Sequence, residues 1–186
     1  MIDQLIEFFR DWGVWGLVVV SFTESSFFIV PPDALLIPMS IVNPSNALLY
    51  ALYTTVASVL GGIFGYFLGQ IIGRPLLQKF ASPHIINKAE MMYEKYGAGA
   101  IIFAGFTPIP YKVFTVLSGA VKMNLPVFII GSLIGRGARF FLVALVVMYF
   151  GDQAMSLITK YGAVTTLIVG VIFIFAFFIY RKRKVK

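Results

Sequence analysis

The chain has no cysteine and a single histidine, His84. The first absence removes disulfides and thiolate chemistry, and the second leaves no His/Cys set able to build a metal centre. Charge is also scarce, since only 12% of the 186 residues are Asp, Glu, Lys or Arg. A water-soluble domain carries about 25%. What replaces charge is apolar: 59% hydrophobic residues, 16% aromatic, and a mean hydropathy of +0.90. Such a chain cannot cover a surface that faces water, so its outer face is expected to meet lipid. The net charge is +7, and five of the fifteen basic side chains, Arg181, Lys182, Arg183, Lys184 and Lys186, are gathered at the end. That pattern is a juxtamembrane basic tail, 181–186, and not a nucleic-acid footprint. The first residues lack the basic region and small-residue cleavage site of a secretory signal, so no cleavage is expected.

A helix crossing about 30 Å of hydrocarbon needs about 20 largely apolar residues, and three stretches qualify. Residues 34–73 hold no charged side chain, but Pro38, Asn43, Pro44, Ser45 and Asn46 divide them, leaving a span over 47–73 capped by Ser45 or Asn46. A second span, 126–150, carries only Arg136 and Arg139, and a third, 161–180, carries no charge. Two further apolar stretches, 13–42 and 97–121, are interrupted. Glu24 and Asp33 flank Pro31-Pro32 in the first, and Thr107-Pro108-Ile109-Pro110 precedes Tyr111 and Lys112 in the second. Proline removes a backbone donor and disfavours helix just before it, so both are expected to turn back as re-entrant hairpins. Irregular backbone at membrane depth needs protein or a water-filled cavity around it, so the hairpins should face each other.

The polar stretch 75–96 reads as a cytoplasmic helix in which His84 is a solvated residue. Residues 1–12 read as an amphipathic helix lying in the interface, and 13–180 as one membrane domain. The positive-inside rule then puts the C-terminus in the cytoplasm and the N-terminus outside. The fold class expected is all-α: a polytopic membrane protein with two opposed re-entrant helical hairpins and about three full transmembrane helices. The order of a proline hairpin and a glycine-stepped helix occurs twice, with Gly61, Gly65, Gly69 and Gly73 in the first helix and Gly131 and Gly135 in the second. Small residues at this spacing serve close helix packing, within the chain or in a homo-oligomer. Two interrupted segments in corresponding positions also point to an inverted-repeat transporter.

Ionisable groups at membrane depth are rare unless paired or working, and this chain has five: Glu24, Asp33, Lys112, Arg136 and Arg139. Arg136 and Arg139 share a helix face with Ser132 and offer guanidinium forks suited to phosphate oxygens. A surplus of positive charge in a cavity would draw an anionic headgroup, while a carboxylate there could carry a proton. The alternative is that the acids neutralise Arg136 and Lys112 as structural pairs. Tyr66, Pro32, Pro108 and Pro110 would line the cavity, whereas Asn124 and Asp152 sit at span ends, where capping explains them.

The chain resembles the DedA membrane proteins, which share the SNARE-associated Golgi or VTT domain, and is most similar to their short bacterial branch. The residues that carry the resemblance are Phe22-Thr23-Glu24-Ser25-Ser26 leading to Pro31-Pro32-Asp33, the run Gly61-Gly62-Ile63-Phe64-Gly65-Tyr66-Phe67-Leu68-Gly69, and Phe106-Thr107-Pro108-Ile109-Pro110-Tyr111-Lys112 leading to Ser118-Gly119-Ala120. The resemblance implies a multi-pass protein of the bacterial cytoplasmic membrane. It also implies opposed hairpins and translocation of an anionic lipid, polyprenyl phosphate or phospholipid, between leaflets, with proton coupling through acids that fall on Glu24 and Asp33. The family's second hairpin usually carries two arginines; Gly105 stands where the first would fall and Lys112 near the second, so Arg136 and Arg139 are candidates to supply the charge. No cofactor is expected, and the partners expected are lipids. A proton-coupled exporter of a small cation or drug is the competing function. A non-transporting scaffold fits five intramembrane charges less well. An enzyme is not expected, for there is no HExxH and no Gly-x-Ser-x-Gly motif.

Overall fold

The computed structural model describes residues 8–9, 11–27, 30–75, 83–107 and 111–151. The expected span 161–180, the tail 181–186, most of the segment 1–12, and Pro108 and Pro110 lie outside the described residues. The described residues form six helices and no strands.

Helix α1 (Val14–Ser26) stops at Phe27, whose N–H is still held by the Thr23 carbonyl. Pro32 opens α2 (Asp33–Val42), where the missing N–H of a proline is harmless. Pro38 does not end this helix. It lies inside α2, where its ring removes one bond from an element only 10 residues long. A 3-10 turn, Pro44–Asn46, leads into α3 (Ala47–Leu68), which continues as a π-helical turn over Gly69–Gly73. Asn46 takes the cap position, but its side chain makes no capping bond. Helix α4 (Pro83–Phe106) runs unbroken through the boundary expected between 96 and 97. Gly97 and Gly99 alternate there with alanines, the best helix formers, and Gly97 is buried against Met123. Helix α5 (Tyr111–Ala120) turns through Lys122 at φ 53° into α6 (Leu125–Phe150). The Asn124 carboxamide caps α6 by accepting the Val127 N–H at 3.2 Å, as the sequence suggested.

Two continuous helical segments, Pro44–Gly73 and Leu125–Phe150, are long and apolar enough to cross a bilayer. At 1.5 Å per residue each reaches about 40 Å. Among the described residues the same order occurs twice: a helix, a 10-residue helix, a short turn, and a long apolar helix.

Helix α3 is the axle, packed against α1, α2, α5 and α6, while α4 lies on α6 and α5. Its glycine stripe is consumed inside the chain. A Cβ on Gly61 would overlap the Phe22 carbonyl of α1, and Gly119 of α5 meets the Tyr66 carbonyl in the same way. Outward, α3 shows Leu52, Val56, Leu60 and Phe64, and α6 shows Ile130, Leu133, Ile134 and Leu142, all exposed. These exposed faces are apolar, as a surface that meets lipid must be.

Gly61→Ala is expected to lower stability by about 1–3 kcal/mol, the usual penalty of overpacking, read as an earlier melt of the purified protein in detergent. Gly99→Ala, with nothing near its added methyl, should leave the melt unchanged or raise it.

Candidate functional site

Two apolar clusters build the interior. One gathers Leu17, Val20, Leu35, Leu36, Tyr50, Ala51, Phe140 and Ala144; the other gathers Tyr66, Ile101, Ala104, Tyr111, Met123 and Phe128. Along α3 and α6 the polar residues Ser58 and Arg136 fall between the residues given to the two clusters. Both lie about eleven residues into their helices, about 16 Å from the start at 1.5 Å per residue. Arg136 is therefore placed near the middle of a span.

There Arg136 is 1% exposed and thoroughly engaged. Its Nε donates to Ser58 Oγ at 2.5 Å, and its Nη2 donates to Glu24 Oε2 at 2.5 Å and to Ser25 Oγ at 3.2 Å. The Ser25 and Ser58 hydroxyls are 2.7 Å apart. The Tyr111 and Phe140 rings lie 5.0 and 4.7 Å from the guanidinium carbon, within cation–π range. Three helices thus hold one cation: α1 gives Glu24 and Ser25, α3 gives Ser58, and α5 gives the Tyr111 ring. Tyr111 is itself fixed, its hydroxyl donating to Ser132 Oγ at 2.5 Å.

A second pair joins Arg139 Nη2 to Asp33 Oδ2. Its side chains are 23% and 20% exposed, and the Arg139 guanidinium also faces Phe140. Asp33 Oδ1 is buried with no hydrogen-bond partner among the described residues.

The structure therefore gathers four of the five expected ionisable residues into two acid–base pairs. Arg136 pairs with Glu24 and Arg139 with Asp33, where the structural alternative had named Arg136 and Lys112 as the basic partners. Lys112 is half-buried on α5, where its carbonyl accepts the Thr115 hydroxyl at 2.8 Å. Thr115 also brings α5 to α1, with Oγ1 at 3.4 Å from the Ser25 carbonyl. Pro32 is buried immediately before Asp33. Tyr66 stands about two turns beyond Ser58, where its hydroxyl donates to the Met123 carbonyl at 2.5 Å and accepts from Gln70 at 3.1 Å. It ties α3 to the α5–α6 turn and makes no hydrogen bond to the arginines. Removing that hydroxyl in Tyr66→Phe strands the Met123 carbonyl, so a loss of about 1–2 kcal/mol in thermal stability is expected.

Ser58 and Phe140 were not anticipated. The signal for Ser58 was its place among small residues, one helical turn before Gly61 and Gly62; Phe140 carried none. Gly105 has a clear structural use. A Cβ there would lie 3.1 Å from the Arg136 nitrogen, so the bare position lets α4 approach the backbone that carries the arginine.

Comparison with known proteins agrees with this architecture. The VTT domain model matches residues 30–153. An uncharacterized protein of Haemophilus influenzae is 37% identical over 183 residues, covering 96% of this chain and 95% of its own length. The alkaline phosphatase-like protein of Lactococcus lactis subsp. lactis is 26% identical over 200 residues, covering 99% and 94%. The undecaprenyl phosphate transporter A of Bacillus subtilis is 23% identical over 194 residues, covering 98% and 96%. No solved structure matches significantly. With the family model covering most of the chain and a relative aligned almost end to end, the protein belongs to the VTT-domain (DedA) family of membrane proteins.

Proposed function

We propose that this protein moves an anionic lipid, a polyprenyl phosphate or a phospholipid, between the leaflets of the bacterial cytoplasmic membrane. In this reading the two proline-broken segments are re-entrant hairpins of opposite orientation, entered from opposite sides, and the C-terminus is cytoplasmic. The headgroup passes the level of Arg136, Arg139 and Lys112, while Glu24 and Asp33 gate the passage or couple it to protons.

The observation that carries the reading is the depth of Arg136, paired with Glu24: Arg136 and the Ser58 it binds each lie about midway along a membrane-length helix, between two apolar clusters. A charge placed there without a task is costly: insertion scales put arginine at a helix centre at about 2.5–3.5 kcal/mol. A buried pair also contributes little net stability over apolar packing. The printed name of the Bacillus subtilis relative supports a phosphorylated polyprenyl cargo.

The test is leaflet exchange in liposomes. Purified protein should accelerate exchange of a fluorescent phosphatidylglycerol, or of a labelled polyprenyl phosphate, over protein-free liposomes. Exchange no faster than in empty vesicles removes the proposal. Collapse of a pH gradient on adding a small cation, with lipid distribution unchanged, would favour a proton-coupled exporter instead.

A further inference from the structure

We infer that the two ion pairs divide the work: Arg136–Glu24 stays closed, and Asp33–Arg139 opens, Arg139 passing from the Asp33 carboxylate to the phosphate oxygens of an anionic headgroup. The inference rests on the lipid-transport reading and narrows it to one exchangeable pair.

The two arginines differ in what holds them. Arg136 is sealed from solvent, donates to Ser58, Glu24 and Ser25, and lies between two rings. Releasing it would break all of these at once and leave an unpaired charge in an apolar interior. Arg139 has one hydrogen-bonding partner among the described residues, Asp33, and both members are about a fifth exposed. A guanidinium holding one carboxylate oxygen keeps most of its five donors for a second anion, and phosphate suits its fork.

The acids differ in the same direction. Glu24 lies in the last turn of α1, where the partial negative charge of the helix end disfavours a carboxylate and the Arg136 guanidinium offsets it. Asp33 is the first residue of α2, where the helix dipole favours negative charge. It can give up Arg139 and remain stabilised. Its Oδ1 is already buried without a partner among the described residues, and an unsatisfied acceptor of this kind in a native fold calls for an explanation. A carboxylate that exchanges its cation provides one. Arg139 also sits about one helical turn nearer the C-terminal end of α6 than Arg136, at a level of its own.

The absence of native cysteine makes the test clean. Asp33→Cys and Ser58→Cys variants, in micelles, are treated with an anionic methanethiosulfonate reagent, which modifies only thiolates that water reaches. The thiol at position 33 should react at least about tenfold faster than that at 58. Phosphatidylglycerol added to the micelles should slow the reaction at 33, whereas phosphatidylcholine should not. Protection by free glycerol phosphate as well would place recognition in the phosphate itself; protection by phosphatidylglycerol alone would place it in the lipid. Equal reactivity at 33 and 58, or no protection by either phosphate probe, overturns the inference even if the wild type exchanges lipid. Conversely, protection without leaflet exchange in the wild type would sink the transport reading and leave Arg139 as an anion site.

Arg139→Lys covers the case in which Asp33→Cys misfolds. It keeps the charge and loses the fork, so the lipid fraction giving half-maximal exchange should rise by about tenfold with the maximal rate retained. Exchange indistinguishable from the wild type would overturn the inference.

Discussion

Arg136→Leu is expected to lower stability by about 3–5 kcal/mol, the usual consequence of removing one member of a buried ion pair. The effect comes mostly from what is left behind. Glu24, with a side chain 17% exposed, would keep only the Ser25 hydroxyl as a hydrogen-bond donor among the described residues. Ser58 would lose its link to α6, and the space between the Tyr111 and Phe140 rings would be refilled by a shorter side chain. The double variant Glu24→Leu/Arg136→Leu removes both charges and should recover a large part of the loss, because apolar packing replaces a buried pair at little penalty. Arg139→Leu should cost clearly less, since both members of its pair are partly exposed and the Asp33 left behind can meet water. Melts of the four proteins in one detergent decide the matter. A double variant no more stable than Arg136→Leu would mean that the serines and rings, not the unpaired carboxylate, carry the effect.

How much of this was legible in the sequence depends on the range of the interaction that writes each feature. The spans were readable because lipid selects runs of apolar residues: 47–73 and 126–150 were expected, and Pro44–Gly73 and Leu125–Phe150 are helical. Proline and asparagine marked the turns because they act on their own neighbours; the interruption expected at Pro31-Pro32 falls between α1 and α2, and Asn124 caps α6 as expected. The π turn at Gly69–Gly73 and the unbroken α4 were not readable. Both depend on contacts from elsewhere, the Val116 backbone against Gly69 and the Met123 side chain against Gly97.

At the site, composition showed which charges had to be accounted for but not how they would pair. Pairing needed the rotation of α6, which is fixed by contacts such as Gly105 against Gly135 and Arg136. That rotation turns Arg136 to α1 and α3 and Arg139 to α2. It also explains the departure from the family pattern at Gly105: a long side chain there has no room while α6 lies this close, and the basic groups that meet the acids come from α6 itself. Ser58 escaped notice because a serine in a small-residue stripe looks like a packing residue until an arginine is found on it.

Glu24→Gln is expected to reduce leaflet exchange by at least about tenfold, equivalent to about 1.4 kcal/mol in the barrier, while the protein still folds. Glutamine has the shape of glutamate and retains a carbonyl oxygen for Arg136 Nη2, and the arginine also keeps Ser58 and Ser25. What disappears is the negative charge that balances Arg136 at the middle of the span. The surplus cation would hold an arriving phosphate in place instead of letting it pass, since a passage works only when binding is weak enough for departure. If Glu24 also carries a proton during the cycle, glutamine cannot. Both effects lower the rate, and they separate on the pH axis: a static counter-charge predicts a slowed exchange whose pH dependence follows the wild type, whereas a proton carrier predicts that the pH dependence is lost. Glu24→Asp, with its charge kept on a shorter arm, should fall between wild type and Glu24→Gln. The impairment in Glu24→Gln should also exceed that in Arg139→Lys, where the charge stays at its post. If Glu24→Gln exchanges lipid at the wild-type rate, the midplane pair is packing alone, and the passage must run elsewhere.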